Sequence, residues 1–156
     1  MRAMTTPPIR KAARAILLDP EHRVLLLRYD ENGGFWATPG GSLDPGETPQ
    51  TALARELREE LGITAVDLGP ELAIRTKDHP VGGRPARQVE TYFAAHIALD
   101  QVRPEQASHP DNIQEHRWWT LTDITKADQT IYPIQLGDIV RDYLETGPPA
   151  HPVSLT

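Results

Sequence analysis

Hydrophobic and polar positions alternate over residues 11–19. Ala13, Ala15 and Leu17 fall on one face and Arg14, Ile16 and Leu18 on the other, which predicts a strand. Residues 24–28 form a nearly continuous apolar run, as expected of a central strand buried on both faces. The turn at 20–23 makes these two strands a hairpin. Residues 30–34 read as a loop and 35–38 as a short extended segment. Pro39-Gly40-Gly41 then predicts a sharp bend. The pattern next changes to a four-residue repeat of Leu53, Leu57 and Leu61, which predicts a helix over 49–61. Thr48 is its N-cap, Pro49 its first residue and Gly62 its stop.

Further along, 66–77 reads as extended with an interruption at Gly69-Pro70, and 78–85 as a loop. Over 88–99, Val89, Thr91, Phe93 and Ala95 alternate with Glu90, Tyr92, Ala94 and His96, predicting a strand. A loop at 100–112 leads to a short strand at 115–121 containing Trp118 and Trp119. Thr122 is expected to cap a helical turn reaching 127. A last helix is expected over 133–145, with Ile134, Leu136, Ile139, Val140, Tyr143 and Leu144 as its apolar face. These elements describe one domain over 11–145, with flexible ends at 1–10 and 146–156.

Composition narrows the class. Hydrophobic residues are 38% and charged residues 24% of the 156, as in a globular domain. The net charge of −6 argues against a general binder of nucleic-acid polymers or membrane surfaces. The absence of cysteine excludes disulfides, thiolate metal sites and cysteine nucleophiles. There is no signal-peptide core and no apolar run of membrane length, so a cytoplasmic protein is expected.

The helix at 49–61 carries a feature that stability does not explain. With Glu56 at zero, Glu60 lies at about +40° and Glu59 at about −60° around its axis. Three carboxylates on one side repel one another. A hard divalent cation such as Mg²⁺ takes carboxylate oxygens and would offset that repulsion.

Residues 41–63 resemble the Nudix box: glycine, five residues, Glu, seven residues, then Arg-Glu-apolar-x-Glu-Glu-x-Gly-apolar. The matching residues are Gly41, Glu47, Arg55, Glu56, Leu57, Glu59, Glu60, Gly62 and Ile63, without departure. The lead-in from Trp36 to Gly41, the first hairpin and the tryptophan-containing strand are similar to the family too. The resemblance implies an α/β fold, an α/β/α sandwich with a mixed sheet between helices. It implies hydrolysis of a nucleoside diphosphate linked to another moiety, with Mg²⁺ or Mn²⁺ as cofactor. By position, Glu56, Glu59, Glu60 and the Gly41 carbonyl would be metal ligands. Glu47 and Arg55 would form a bracing pair. The general base would be Glu59 or a late-loop carboxylate, for which Glu115 is the candidate, with Glu90 and Asp111 as competitors. The family also includes nucleotide-sensing domains, which usually show a decayed box and an attached DNA-binding module. This box is intact and no segment remains for such a module. An isoprenoid diphosphate isomerase of the family would be expected to use a cysteine.

Outside the box, Arg14, Arg28 and Arg75 are candidates to bind substrate phosphates, against a cross-strand pairing role. Tyr29, Phe35, Trp36, Tyr92 and Trp118 are candidates to stack a base, against a role in the core. The histidines show no metal-ligand spacing. Pro80, seventeen residues past Ile63, leans weakly toward ADP-ribose-like substrates, while the short loops fit a nucleoside triphosphate equally. The expected partner is a small nucleotide-type molecule, bound by a monomer or homodimer.

Overall fold

A computed structural model describes residues 8–110 and 112–156. The strands are β1 (Ile9–Leu18), β2 (Val24–Tyr29), β3 (Phe35–Ala37), β4 (Gly40–Ser42), β5 (Leu68–Val81), β6 (Arg84–His96), β7 (Glu115–Trp119), β8 (Ile131–Tyr132) and β9 (Val153–Leu155). The helices are α1 (Pro49–Leu61), α2 (Leu121–Lys126) and α3 (Leu136–Thr146). The strands form one mixed sheet in the order β8-β3-β2-β1-β6-β5-β9, with β4 paired to β1 and β7 to β2.

The sheet is covered on both faces, which is the expected α/β sandwich. Leu53, Leu57 and Leu61 of α1 pack on Ala13, Ala15, Leu17, Leu25 and Leu27. Leu136, Ile139 and Val140 of α3 pack on Ile16, Leu18, Val24 and Leu26. The alternation read along β1 therefore divides its side chains between two cores, and β2 is buried on both sides. Each fully buried leucine of α1 contributes about 2 kcal/mol of transfer free energy, which anchors the helix without involving its acidic side.

The strands β1 and β2 meet in register at Leu18 and Val24 and then diverge. Beyond that point β4 takes the edge of β1, opposite residues 12–14. The edge of β2 is taken instead by β3, opposite residues 27–29. The sheet is thus split along part of its length, and a cleft opens at the split.

Several boundaries differ from the sequence reading. The expected loop at 78–85 is the tip of a long hairpin, turned at Gly82-Gly83. Its two prolines, Pro80 and Pro85, face each other in register, so neither is asked for the N–H it lacks. The short helix α2 is capped by Thr120 rather than Thr122. Thr120 Oγ1 accepts the Asp123 N–H and Asp123 Oδ2 accepts the Thr120 N–H, each at 3.0 Å. Pro133 and Ile134 precede α3, because Tyr132 is still paired to β3 in β8, and Ile134 is 68% exposed rather than part of the apolar face. At the ends, Ile9 and Arg10 pair with β6, and the expected flexible tail contains β9, paired in parallel with β5. Residues 1–7 lie outside the described residues. Among those described, no helix is long and apolar enough to cross a membrane.

Candidate active site

The site is built on α1 and the turn that precedes it. Thr48 Oγ1 accepts the Thr51 N–H at 3.1 Å, Pro49 opens the helix, and the N–H of Gly62 closes it onto the carbonyls of Arg58 and Leu57. With the leucines in the core, the carboxylates of Glu56 and Glu60 are drawn against the backbone at Gly40 and Gly41. Gly40 donates its N–H to Glu60 Oε1 at 3.0 Å, and the Tyr29 hydroxyl stands 3.5 Å from Glu60 Oε2. Gly40 has φ +138°, and a Cβ there would collide with the Ala13 carbonyl. A Cβ on Gly41 would run into the Glu56 carboxylate. Gly40 is therefore required by its close approach to β1, while a side chain at Gly41 would have to displace the Glu56 carboxylate.

Arg55 ties the element together. Its Nε and Nη2 donate to the two carboxylate oxygens of Glu47, each at 2.9 Å, a bidentate pair. Nη2 also donates to the Ser42 carbonyl at 3.1 Å, and Glu47 Oε1 accepts the Asp44 N–H at 2.7 Å. The loop from 42 to 47 is thereby fixed to the helix. The Arg55 hydrogen bonds, followed by that of Asp44, hold the Glu47 carboxyl down at about 2. The Arg55 guanidinium is pushed up, chiefly by its hydrogen bonds to Glu47.

Arg55 Nη1 also donates to Glu56 Oε1 at 3.1 Å and to Glu59 Oε2 at 3.2 Å. These two acids flank a guanidinium, while Glu60 is turned to Gly40. Among the described residues, no three His, Asp or Glu side chains are gathered around one point that would hold a metal ion. The arrangement differs in that respect from the expected ligand cluster, because the arginine occupies the position where it relieves the repulsion between Glu56 and Glu59. Burial raises the Glu56 carboxyl above its usual value, against the opposing effect of Arg55.

Beside this element lies a cleft of about 510 Å³ at the split in the sheet. One wall carries Arg14, Arg75 and Lys77, and the other carries Tyr29, Phe35 and Tyr132. Tyr29 and Phe35 stack with centroids 5.3 Å apart, and Tyr132 meets Phe35 edge-on at 5.5 Å. Arg14 donates to Glu90 at 2.9 Å and to the Gly40 carbonyl at 3.0 Å, and Arg75 donates to Glu90 at 2.9 Å. Burial works against the charge of Arg14, but the Glu90 carboxylate outweighs it and the guanidinium is raised.

The other sequence candidates are not brought here. Arg28 pairs with Asp30 at 2.6 Å and with Glu115 at 3.2 Å. Glu115 shares its face of β7 with Arg117 and Trp119, and Trp119 is in the α3-side core. The opposite face of β7 carries Trp118 toward the α1-side core. Strand alternation therefore points Glu115 away from the acids of α1. Trp36 is core, edge-on to Trp119 at 5.1 Å. Tyr92 is buried but reaches the cleft wall. Pro80 is not among the cleft residues, and Asp111 lies outside the described ones. Lys77 and Tyr132 line the cleft and carry no signal in the sequence, since neither belongs to a motif.

The NUDIX domain profile matches residues 8–136, and the chain belongs to that family. It is an enzyme of the Nudix pyrophosphohydrolase kind. An RNA pyrophosphohydrolase of Gluconacetobacter diazotrophicus is 28% identical, over 92% of this chain and 96% of that protein. A protein named putative 8-oxo-dGTP diphosphatase 2 from Mycobacterium tuberculosis is 33% identical, over 64% of this chain and 75% of that one. The crystal structure of a MutT protein from Methanosarcina mazei Go1 superposes with a TM-score of 0.64 at 23% identity, covering 90% of this chain and 96% of that one.

Proposed function

We propose that this enzyme hydrolyses the pyrophosphate linkage of a small nucleoside diphosphate derivative, a nucleoside triphosphate or an ADP-ribose-like molecule, with Mg²⁺ or Mn²⁺ as cofactor. The observation that carries the reading is the approach of Glu56 and Glu60 to the Gly40–Gly41 backbone beside a cleft with one basic and one aromatic wall. The Gly41 carbonyl with Glu56, Glu59 and Glu60 is an all-oxygen donor set, which suits a hard divalent ion once Glu56 or Glu59 turns from Arg55. Such an ion neutralises phosphate oxygens and makes a bound water more acidic.

The chain's own groups do the rest. Arg14 and Arg75 orient the phosphates, and Tyr29, Phe35 and Tyr132 offer a surface for the base. Glu59 takes the proton of the attacking water as its oxygen bonds to phosphorus and the bridging P–O bond breaks. Glu59 stands on α1 beside Glu56 and Glu60 and shares Arg55 with Glu56, whereas Glu115 is paired with Arg28 on the face of β7 that carries Trp119. Arg55 and Glu47 hold the loop and helix in register throughout.

The test is a phosphate-release screen with Mg²⁺ and Mn²⁺ over nucleoside triphosphates, ADP-ribose-like compounds and 5′-triphosphorylated RNA, run beside Glu59→Gln and Glu60→Gln. Turnover that both variants lose supports the proposal. If wild type turns over none of these, the hydrolytic reading fails; if it turns over RNA alone, the small-molecule assignment fails.

A further inference from the structure

Glu90 is 6% exposed and lies on β6, between β1 and β5. Its Oε2 accepts from Arg14 Nε and its Oε1 from Arg75 Nη1, each at 2.9 Å. Arg75 stands directly opposite it in register, while Arg14 reaches it diagonally from two residues beyond Ala12, its partner on β1. One carboxylate thus spans guanidiniums from the strands on either side. Arg14, Arg75 and Lys77 against Glu90 and Glu31 leave one positive charge in excess on the lining of the cleft. Desolvating an uncompensated charge is costly, and an incoming anion would offset that cost. Each arginine also keeps N–H groups that have no acceptor among the described residues. Arg14 further donates to the Gly40 carbonyl, and the Gly40 N–H donates to Glu60. A plain brace for the sheet would need neither the excess charge nor the open donors.

We propose that Glu90 is a positioning residue that holds Arg14 and Arg75 as a two-pronged clamp for a phosphate group of the substrate. This rests on the reading of the cleft as a pyrophosphate-substrate site. The clamp is preorganised: Glu90 fixes one edge of each guanidinium and leaves the others directed to the ligand. Through Gly40, the Arg14 prong is continuous with the Glu60 carboxylate, so phosphate binding and the hydrolytic element share one hydrogen-bonded path.

The experiment measures binding of inorganic pyrophosphate by calorimetry without divalent metal, together with KM and kcat on the substrate found by screening. It uses Arg75→Gln, Glu90→Gln and Glu90→Asp. Arg75→Gln and Glu90→Gln should each weaken pyrophosphate binding about tenfold or more and raise KM by a similar factor, with kcat within about threefold. Glu90→Asp should recover part of the loss. Wild-type binding of pyrophosphate by Arg75→Gln overturns the clamp, as does absence of metal-free binding in wild type. So does a Glu90→Gln protein that loses thermal stability and kcat together at constant KM. If Glu90→Gln does not fold, Arg75→Gln decides alone. Pyrophosphate binding that responds as expected in an enzyme that hydrolyses no nucleotide keeps the clamp and removes the hydrolytic reading. Hydrolysis with binding untouched in Arg75→Gln does the reverse.

Discussion

The Gly40 N–H points at Glu60 Oε1 from 3.0 Å, and nothing larger than glycine fits where it stands. Gly40→Ala would combine a strained positive φ, on the order of 1–3 kcal/mol, with a collision against the Ala13 carbonyl. The expected outcome is a lowered unfolding midpoint in urea and turnover reduced by at least about a hundredfold, since Glu60 loses its fixed position. A variant with wild-type kcat would show that this contact does not matter for chemistry.

The two carboxylates considered as base carry different expectations. Glu59→Gln should reduce kcat by about 10²–10⁴-fold, the usual contribution of a general base. Glu115→Gln should leave kcat within about twofold, because Glu115 is turned from α1 and paired with Arg28. Single-turnover rates of both variants on one substrate check the pair, and the reverse ranking would restore Glu115.

The Glu47 carboxyl titrates at about 2 in the fold against 4.5 unperturbed. Its folded value is depressed, so its contribution to stability is present in full above the unfolded value and is lost as pH falls toward about 2. Thermal midpoints measured across that acid window should fall less steeply in Glu47→Gln than in wild type. Parallel curves would mean that other carboxylates set the acid limb.

Leu57 is fully buried beneath the acidic side of α1. Leu57→Ala should cost about 2–5 kcal/mol of unfolding free energy. Below its melting temperature it should keep kcat within a few-fold, since the leucines anchor the helix while the acids act. Loss of kcat in a fully folded Leu57→Ala protein would show that anchoring and chemistry are not separable.

Chelation should abolish turnover, and adding Mg²⁺ or Mn²⁺ back should restore it and raise the melting temperature. At a hundredfold excess over Kd the added stability is about 2.7 kcal/mol. Glu56→Gln should blunt this thermal shift. A melting temperature indifferent to both ions would argue against a site on α1.

Much of this was legible before the structure. The alternation over β1 and the leucine repeat of α1 are local patterns that survive folding unchanged, and each reports which core a side chain enters. The Arg55–Glu47 pair was legible only through the box, since nothing in spacing alone joins residues on a loop and a helix. The place of Glu115 at the start of its strand and of Arg28 at the end of the apolar run does not say which face each takes; that depends on the pairing of β2 with β7. The 78–85 segment misled because paired prolines in a hairpin tip look like loop composition. Tyr132 and Lys77 reach the cleft through long-range pairing with no counterpart in local sequence.

The divergence of β1 from β2 beyond Leu18 and Val24 has a consequence for how this enzyme can change over evolutionary time. The basic wall belongs to β1, β5 and β6, and the aromatic wall to the end of β2, to β3 and to β8. The acids sit on neither, but on a helix anchored by its own leucines. Substitutions in the aromatic β2–β3–β8 half can therefore be absorbed without disturbing the basic wall or the acidic helix.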